Sequence, residues 1–62
     1  MIYIHPGDTT EKQVDIQIVS TGDYLFFYYD KEGNKLRCES WSKGSAMDMI
    51  CILVILGYFQ IK

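Results

Sequence analysis

Hydrophobic and polar residues alternate along the first two thirds of the chain, and an almost unbroken apolar run follows. Gln13 to Ser20 (QVDIQIVS) is the clearest alternating stretch. Val14, Ile16 and Ile18 fall on one side and Gln13, Asp15 and Gln17 on the other, which is the two-residue period of a β-strand. Met1 to His5 (MIYIH) alternates until Pro6-Gly7-Asp8 ends it, and residues 6–12 read as a polar loop. Tyr24 to Tyr29 (YLFFYY) predicts a third strand with aromatics on both faces, and Lys35 to Trp41 (KLRCESW) a fourth.

The two inner turns set a register. Ser20-Thr21-Gly22 and Lys31-Glu32-Gly33 each have the form of a three-residue hairpin loop with glycine at the left-handed position. The first loop places Ile18 beside Tyr24, Ile16 beside Phe26 and Val14 beside Tyr28. The second places Tyr28 beside Leu36, Phe26 beside Cys38 and Tyr24 beside Ser40. Both put even-numbered residues on one face, as a continuous sheet requires, because a one-residue slip turns a whole strand over.

Ser42-Lys43-Gly44 breaks the sheet, and Ser45 with Asp48 three residues on predicts a helix N-cap. The helix is expected from about Ala46 to Leu56, with Gly57 as its left-handed stop. The β-branched Ile50, Ile52, Val54 and Ile55 would also suit a buried strand; the caps at both ends decide for helix. Tyr58 to Lys62 then predicts a fifth strand with Phe59 and Ile61 inward. A helix of about 17 Å crosses four or five strands spaced about 4.8 Å apart and can return the last strand beside the first. The expected fold is a single α+β domain over residues 1–62, ββββαβ, one antiparallel sheet with an apolar helix on one face.

This arrangement sends Ile2, Ile4, Val14, Ile16, Ile18, Tyr24, Phe26, Tyr28, Leu36 and Cys38 to the core, covered by Ala46, Met49, Ile50 and Leu53. The opposite helical stripe, Asp48, Cys51, Ile52 and Ile55, has no partner in the sheet. Either the 6–12 loop covers it or a second copy of the chain does, because contiguous apolar patches mark contact sites. The odd face of the sheet collects Tyr3, His5, Leu25, Phe27, Tyr29, Lys35, Arg37, Glu39, Trp41 and Tyr58. That face reads either as an ordinary solvated sheet with cross-strand aromatic and cation–π pairs or as a recognition surface. Tyr3, Phe27, Tyr29, Arg37 and Trp41 are the candidate binding residues, being of the types that dominate hot spots. Stacking of a nucleotide-like anion on these rings, with Arg37, Lys35 or Lys43 near its phosphates, is the small-ligand version.

Composition narrows the function classes. Sixty-two residues lie near the lower limit for a self-sufficient core. The net charge of −2 and pI near 5.0 provide no basic field for long nucleic acid. Cys38, Cys51 and His5 are too few and wrongly spaced for a zinc site. The two thiols are expected reduced and buried. No signal-peptide pattern opens the chain, and the C-terminal apolar run is shorter than the ~20 residues that span a bilayer. The expectation is a cytoplasmic protein without membrane contact, metal or cofactor. Alternation separates His5 from Cys38, and Gly22, Gly33, Gly44 and Gly57 are accounted for as turn and cap residues, so no nucleophile–base pair or phosphate loop is expected.

The stretches YLFFYYDKEGNKL (residues 24–36) and ESWSKGSA (residues 39–46) are similar to the ββα unit of the small YegP-like bacterial proteins of unknown function. The resemblance, over residues 24–50 with the opening of the helix, covers less than half of the chain; the apolar character of the helix and the last strand depart from it, and it implies no activity.

The function expected from these residues is that of a small non-enzymatic interaction protein. It would self-associate through the helix and bind or inhibit another macromolecule through the sheet, in the manner of a phage or mobile-element inhibitor of a host factor. The alternatives are an oligomer that binds or sequesters a nucleotide-like small ligand, and a structural subunit of a larger assembly.

Overall fold

In the computed structural model, which describes residues 1–62, the hairpin β2 (Gln13–Ile18) and β3 (Tyr24–Tyr29) forms the centre of the sheet. Its register is the one that the glycine loop predicts: Ile18 opposite Tyr24, Ile16 opposite Phe26, Val14 opposite Tyr28. Gly22 is left-handed at φ +89°, and its N–H donates to Val19 O at 2.9 Å. With β1 (Ile2–Ile4), β4 (Lys35–Trp41) and β5 (Phe59–Gln60), the antiparallel sheet runs β4-β3-β2-β1-β5. One helix, α1 (Lys43–Ile55), packs on one face. The fold is the expected α+β arrangement.

Three strands, β4, β1 and β5, are turned over relative to expectation. The β3–β4 turn itself is as predicted, with Gly33 at φ +85° and the Asp30 N–H donating to Asn34 O at 3.0 Å. Tyr29 then faces Lys35, but Tyr28 faces Arg37, so Leu36 is an extra residue in a β-bulge. Beyond it Phe27 pairs with Cys38, Phe26 with Glu39 and Tyr24 with Trp41. Arg37, Glu39 and Trp41 therefore share the helix-covered face with Tyr28, Phe26 and Tyr24. Leu36 and Cys38, expected in the core, are exposed.

The same inversion occurs in β1. Tyr3 pairs with Val14, while Ile2 and Ile4 pair with Asp15 and Gln13. Tyr3 is thus buried in the core, and the two isoleucines lie on the open face. In β5, Ile4 pairs with Phe59 and Tyr3 with Gln60. Phe59 and Ile61, expected inward, consequently lie on the open face and are exposed, and Tyr58, expected on the solvent side, is buried.

The helix starts three residues before its expected first residue. Ser42 is its N-cap, without a side-chain capping bond, and Ser45 lies inside the first turn. The C-terminus is a Schellman motif. Gly57 is left-handed at φ +104°, its N–H donates to Val54 O at 3.0 Å, and the Tyr58 N–H donates to Leu53 O at 3.0 Å. Leu53 and Tyr58 are both buried, which supplies the apolar contact that accompanies this motif. The inward stripe of α1 is as predicted, with Ala46 and Leu53 buried and Met49 and Ile50 packed against the core. That core is small: Tyr3, Val14, Ile16, Tyr24, Phe26, Tyr28, Ala46, Leu53 and Tyr58, with Trp41 at its margin. Ile18, at the end of β2, is left outside it.

Candidate functional site

The bulge at Leu36 assembles a polar cluster on the helix side of the sheet, at the β3–β4 end. The Arg37 Nε–H donates to Glu11 Oε2 at 2.7 Å and its Nη2–H to Glu11 Oε1 at 3.2 Å, while its Nη1–H donates to Glu39 Oε2. The guanidinium stacks on the Tyr28 ring at 3.8 Å. Glu39 Oε1 also accepts from the Tyr28 hydroxyl at 2.9 Å and from the Trp41 indole N–H at 3.3 Å. Burial acts to raise the Glu39 pKa, but the hydrogen bonds from Tyr28 and Trp41 and the Arg37 charge outweigh it and hold the carboxyl below its ordinary value. Burial, then the hydrogen bond to Glu39, pushes the Tyr28 hydroxyl well up. Hydrogen bonding to Glu11 is the chief factor that raises Arg37. A cation held by two carboxylates and an aromatic face is neutralised within the chain, and no buried side-chain nitrogen or oxygen lacks a partner. This is a fold-stabilising network.

The candidate recognition residues are therefore divided. Arg37 and Trp41 belong to this cluster on the helix side, Tyr3 is in the core, and only Phe27 and Tyr29 remain on the open face. There Phe27 lies in a row with Ile2, Asp15 and Cys38, and Tyr29 in a row with Ile4, Gln13 and Lys35. The Lys35 ammonium sits 4.9 Å from the centre of the Phe27 ring. The open face thus has an aromatic side on β3, a polar stripe along β2, and an apolar side made by Ile2, Ile4, Phe59 and Ile61. The last four were missed as surface residues because the alternation of β1 and β5 was read with the opposite phase.

The outer stripe of α1 lies where the sequence places it. Asp48, Cys51, Ile52 and Ile55 are all exposed, Ile55 by 81%, and Met47, Val54 and Leu56 extend the apolar area. The 6–12 loop does not cover it. Lys12 Nζ instead donates to Gly7 O at 2.6 Å, Lys12 N–H donates to Tyr29 O at 2.9 Å, and the Tyr58 hydroxyl donates to Glu11 O, so the loop is held against the sheet beside Arg37. His5 ties the start of this loop to the helix end. Its Nδ1 accepts from the Gly7 N–H at 2.9 Å, which leaves Nε2–H to donate to Leu56 O at 2.9 Å, and its ring meets Tyr58 edge to face at 5.0 Å.

Other chemistry is sparse. A 290 Å³ cleft is lined by Asp8, Thr9, Thr10, Asp30, Lys31 and Glu32, without an apolar wall. No group of three or more His, Cys, Asp or Glu side chains is placed to hold a metal ion. Cys38 and Cys51 are both free and, contrary to expectation, exposed: Cys38 because the bulge turns it outward and Cys51 because no element covers the outer helix. No helix is long and apolar enough to cross a membrane. Comparison with models of protein families, with curated proteins and with solved structures returns no significant match.

Proposed function

We propose that this chain is a non-enzymatic interaction protein that self-associates through the outer stripe of α1 and blocks another macromolecule by docking on the open sheet face. The observation that carries the reading is the contiguous stripe Met47, Cys51, Ile52, Val54, Ile55 and Leu56, which no part of the chain covers. A self-complementary patch of this kind is most simply satisfied by a twofold pair. Phe27 and Tyr29, with the nearby Leu25, replace the earlier set as the contact residues for a second partner. The free, exposed thiols suit a reducing compartment such as the cytoplasm. The small-anion alternative draws less support, because Arg37 and Trp41 lie on the helix side of the sheet, away from the Phe27 and Tyr29 rings on the open face.

Sedimentation equilibrium of wild type and Ile55→Asp tests the self-association. At 81% exposure, Ile55 contributes little to the folded monomer, so its replacement reports on the contact. The expected result is a wild type larger than a monomer and a variant with unchanged circular dichroism and a lower mass. A monomeric wild type up to near-millimolar concentration would overturn the reading.

A further inference from the structure

β4 is the longest strand of the sheet, at seven residues, and it lies at the edge. One side of it pairs with β3, and the other carries no neighbour. Edge strands in stable proteins are commonly protected by proline, by a β-bulge, by covering elements or by charges, and the bulge of β4 lies only at its Leu36 end. Past the bulge, the regular stretch Arg37–Trp41 contains no proline, and no strand or helix lies along its outer side. Its charges are one of each sign, Arg37 and Glu39, placed one residue either side of Cys38.

We propose that two copies of the chain pair β4 with β4 in antiparallel orientation, centred on Cys38, and so join their sheets into one. Directly opposed residues in an antiparallel ladder share a face. Centring on Cys38 therefore sets each Arg37 against the partner's Glu39 on the helix side. Sliding the centre to residue 39 opposes two glutamates, and sliding it to residue 37 opposes two arginines, each a like-charge pair that disfavours the register. Arg37 has five N–H donors, and three are used within its own chain. Two remain for the partner's Glu39. The axis of such a pair stands normal to the sheet, so both helices stay on the same side and both open faces on the other. This contact uses the strand edge alone and is independent of the helical stripe.

The two cysteines distinguish the two contacts, because Cys38 lies on β4 and Cys51 on the outer face of α1. Opposed Cα atoms in an antiparallel pair are about 4.5–5.5 Å apart, within the range that a disulfide bridges. Copper-phenanthroline oxidation of Cys51→Ser, which retains Cys38, is expected to produce a covalent dimer on a non-reducing gel. The further change Cys38→Lys opposes two cations at the axis while replacing a side chain that is exposed in the monomer. On an otherwise Cys51→Ser chain it should raise the dimer dissociation constant in sedimentation by roughly tenfold or more. No cross-link through Cys38, or a dissociation constant unmoved by Cys38→Lys, overturns the edge pairing. Cross-linking of Cys38→Ser through Cys51, with loss of mass in Ile55→Asp, reports on the helical contact alone, so either contact can fail without the other.

Discussion

The Glu39 carboxylate is the hub that fixes β4 in its observed orientation, and its removal has a calculable effect. It accepts hydrogen bonds from Tyr28, Trp41 and Arg37 with a side chain 28% exposed. Glu39→Gln retains the shape and one acceptor oxygen, loses the charge, and turns an amide N–H toward the Arg37 donors. Hydrogen bonds to a charged group are worth about 1.5–3 kcal/mol; discounted for partial exposure and screening, the expected loss is about 1–2 kcal/mol at pH 7. A domain of this size has a total stability of about 3–9 kcal/mol, so Tm should fall by about 5–15 °C. The pH dependence is more telling than the size. Because the folded-state pKa of Glu39 is depressed, its contribution is present above the unfolded value and is lost as pH falls through the folded one. The stability gap between wild type and Glu39→Gln should be full at pH 6–7 and close progressively as pH falls below the unfolded carboxyl value of about 4.3. Asp30, also held below its ordinary value, chiefly by the Asn34 N–H, weakens both proteins in acid alike and cancels in the difference. Urea titrations followed by fluorescence suit this test, since the single tryptophan, Trp41, bonds to Glu39 itself. A gap that is independent of pH, or below about 0.3 kcal/mol at pH 7, would refute the assignment.

Two further substitutions probe the junction between the N-terminal loop and the helix end. His5→Ala removes two hydrogen bonds and an edge-to-face contact with Tyr58, and about 2 kcal/mol of stability should go with them; a loss under about 0.5 kcal/mol in urea unfolding would show that the junction contributes little. Gly57→Ala combines a left-handed backbone with a Cβ that would sit 2.9 Å from His5 Nε2, whereas Gly22→Ala has a similar φ and open space around it. The first should cost about 1 kcal/mol more than the second, and equal costs would remove the His5 contact from the account.

The parts of this fold that were legible are those in which a short turn constrains the pairing. A three-residue loop with Gly22 leaves the β2–β3 hairpin a single register, and Gly57 locates the end of α1. The β3–β4 turn is equally readable, yet one extra residue immediately beyond it reverses every later side chain. KLRCESW alternates either way: Leu36 and Cys38 inward, or Arg37, Glu39 and Trp41 inward. The second choice prevails with Trp41 against the core and Tyr28, Trp41 and Arg37 satisfying Glu39, contacts that depend on residues distant in sequence. β1 had no turn to fix it, because the loop of residues 6–12 allows either phase, and MIYIH offers two isoleucines against one tyrosine. Tyr3 faces inward opposite Val14, which also sets the phase of β5. The recognition set built on a shared odd face was divided for the same reason, whereas the α1 stripe survived because its position depends only on helical periodicity.

These inversions move apolar area from the core to the surface. Nine residues are buried, while Ile2, Ile4, Phe59 and Ile61 occupy the open face and the α1 stripe the opposite side. Burying a Val, Leu or Ile side chain fully is worth about 1.5–3 kcal/mol, so even partial coverage of the Ile52–Leu56 segment by a second copy is comparable with the stability of the monomer. Association that stabilises only the folded state must make unfolding depend on concentration by mass action. The wild-type Tm should therefore climb with each tenfold increase in protein, as about 1.4 kcal/mol per dimer is added. On the helical contact alone Ile55→Asp should hold a constant Tm; joined β4 edges would leave it a reduced slope that Cys38→Lys abolishes. A wild-type Tm that stays constant would mean that nine buried residues, the Glu39 network and the His5 junction support the fold by themselves.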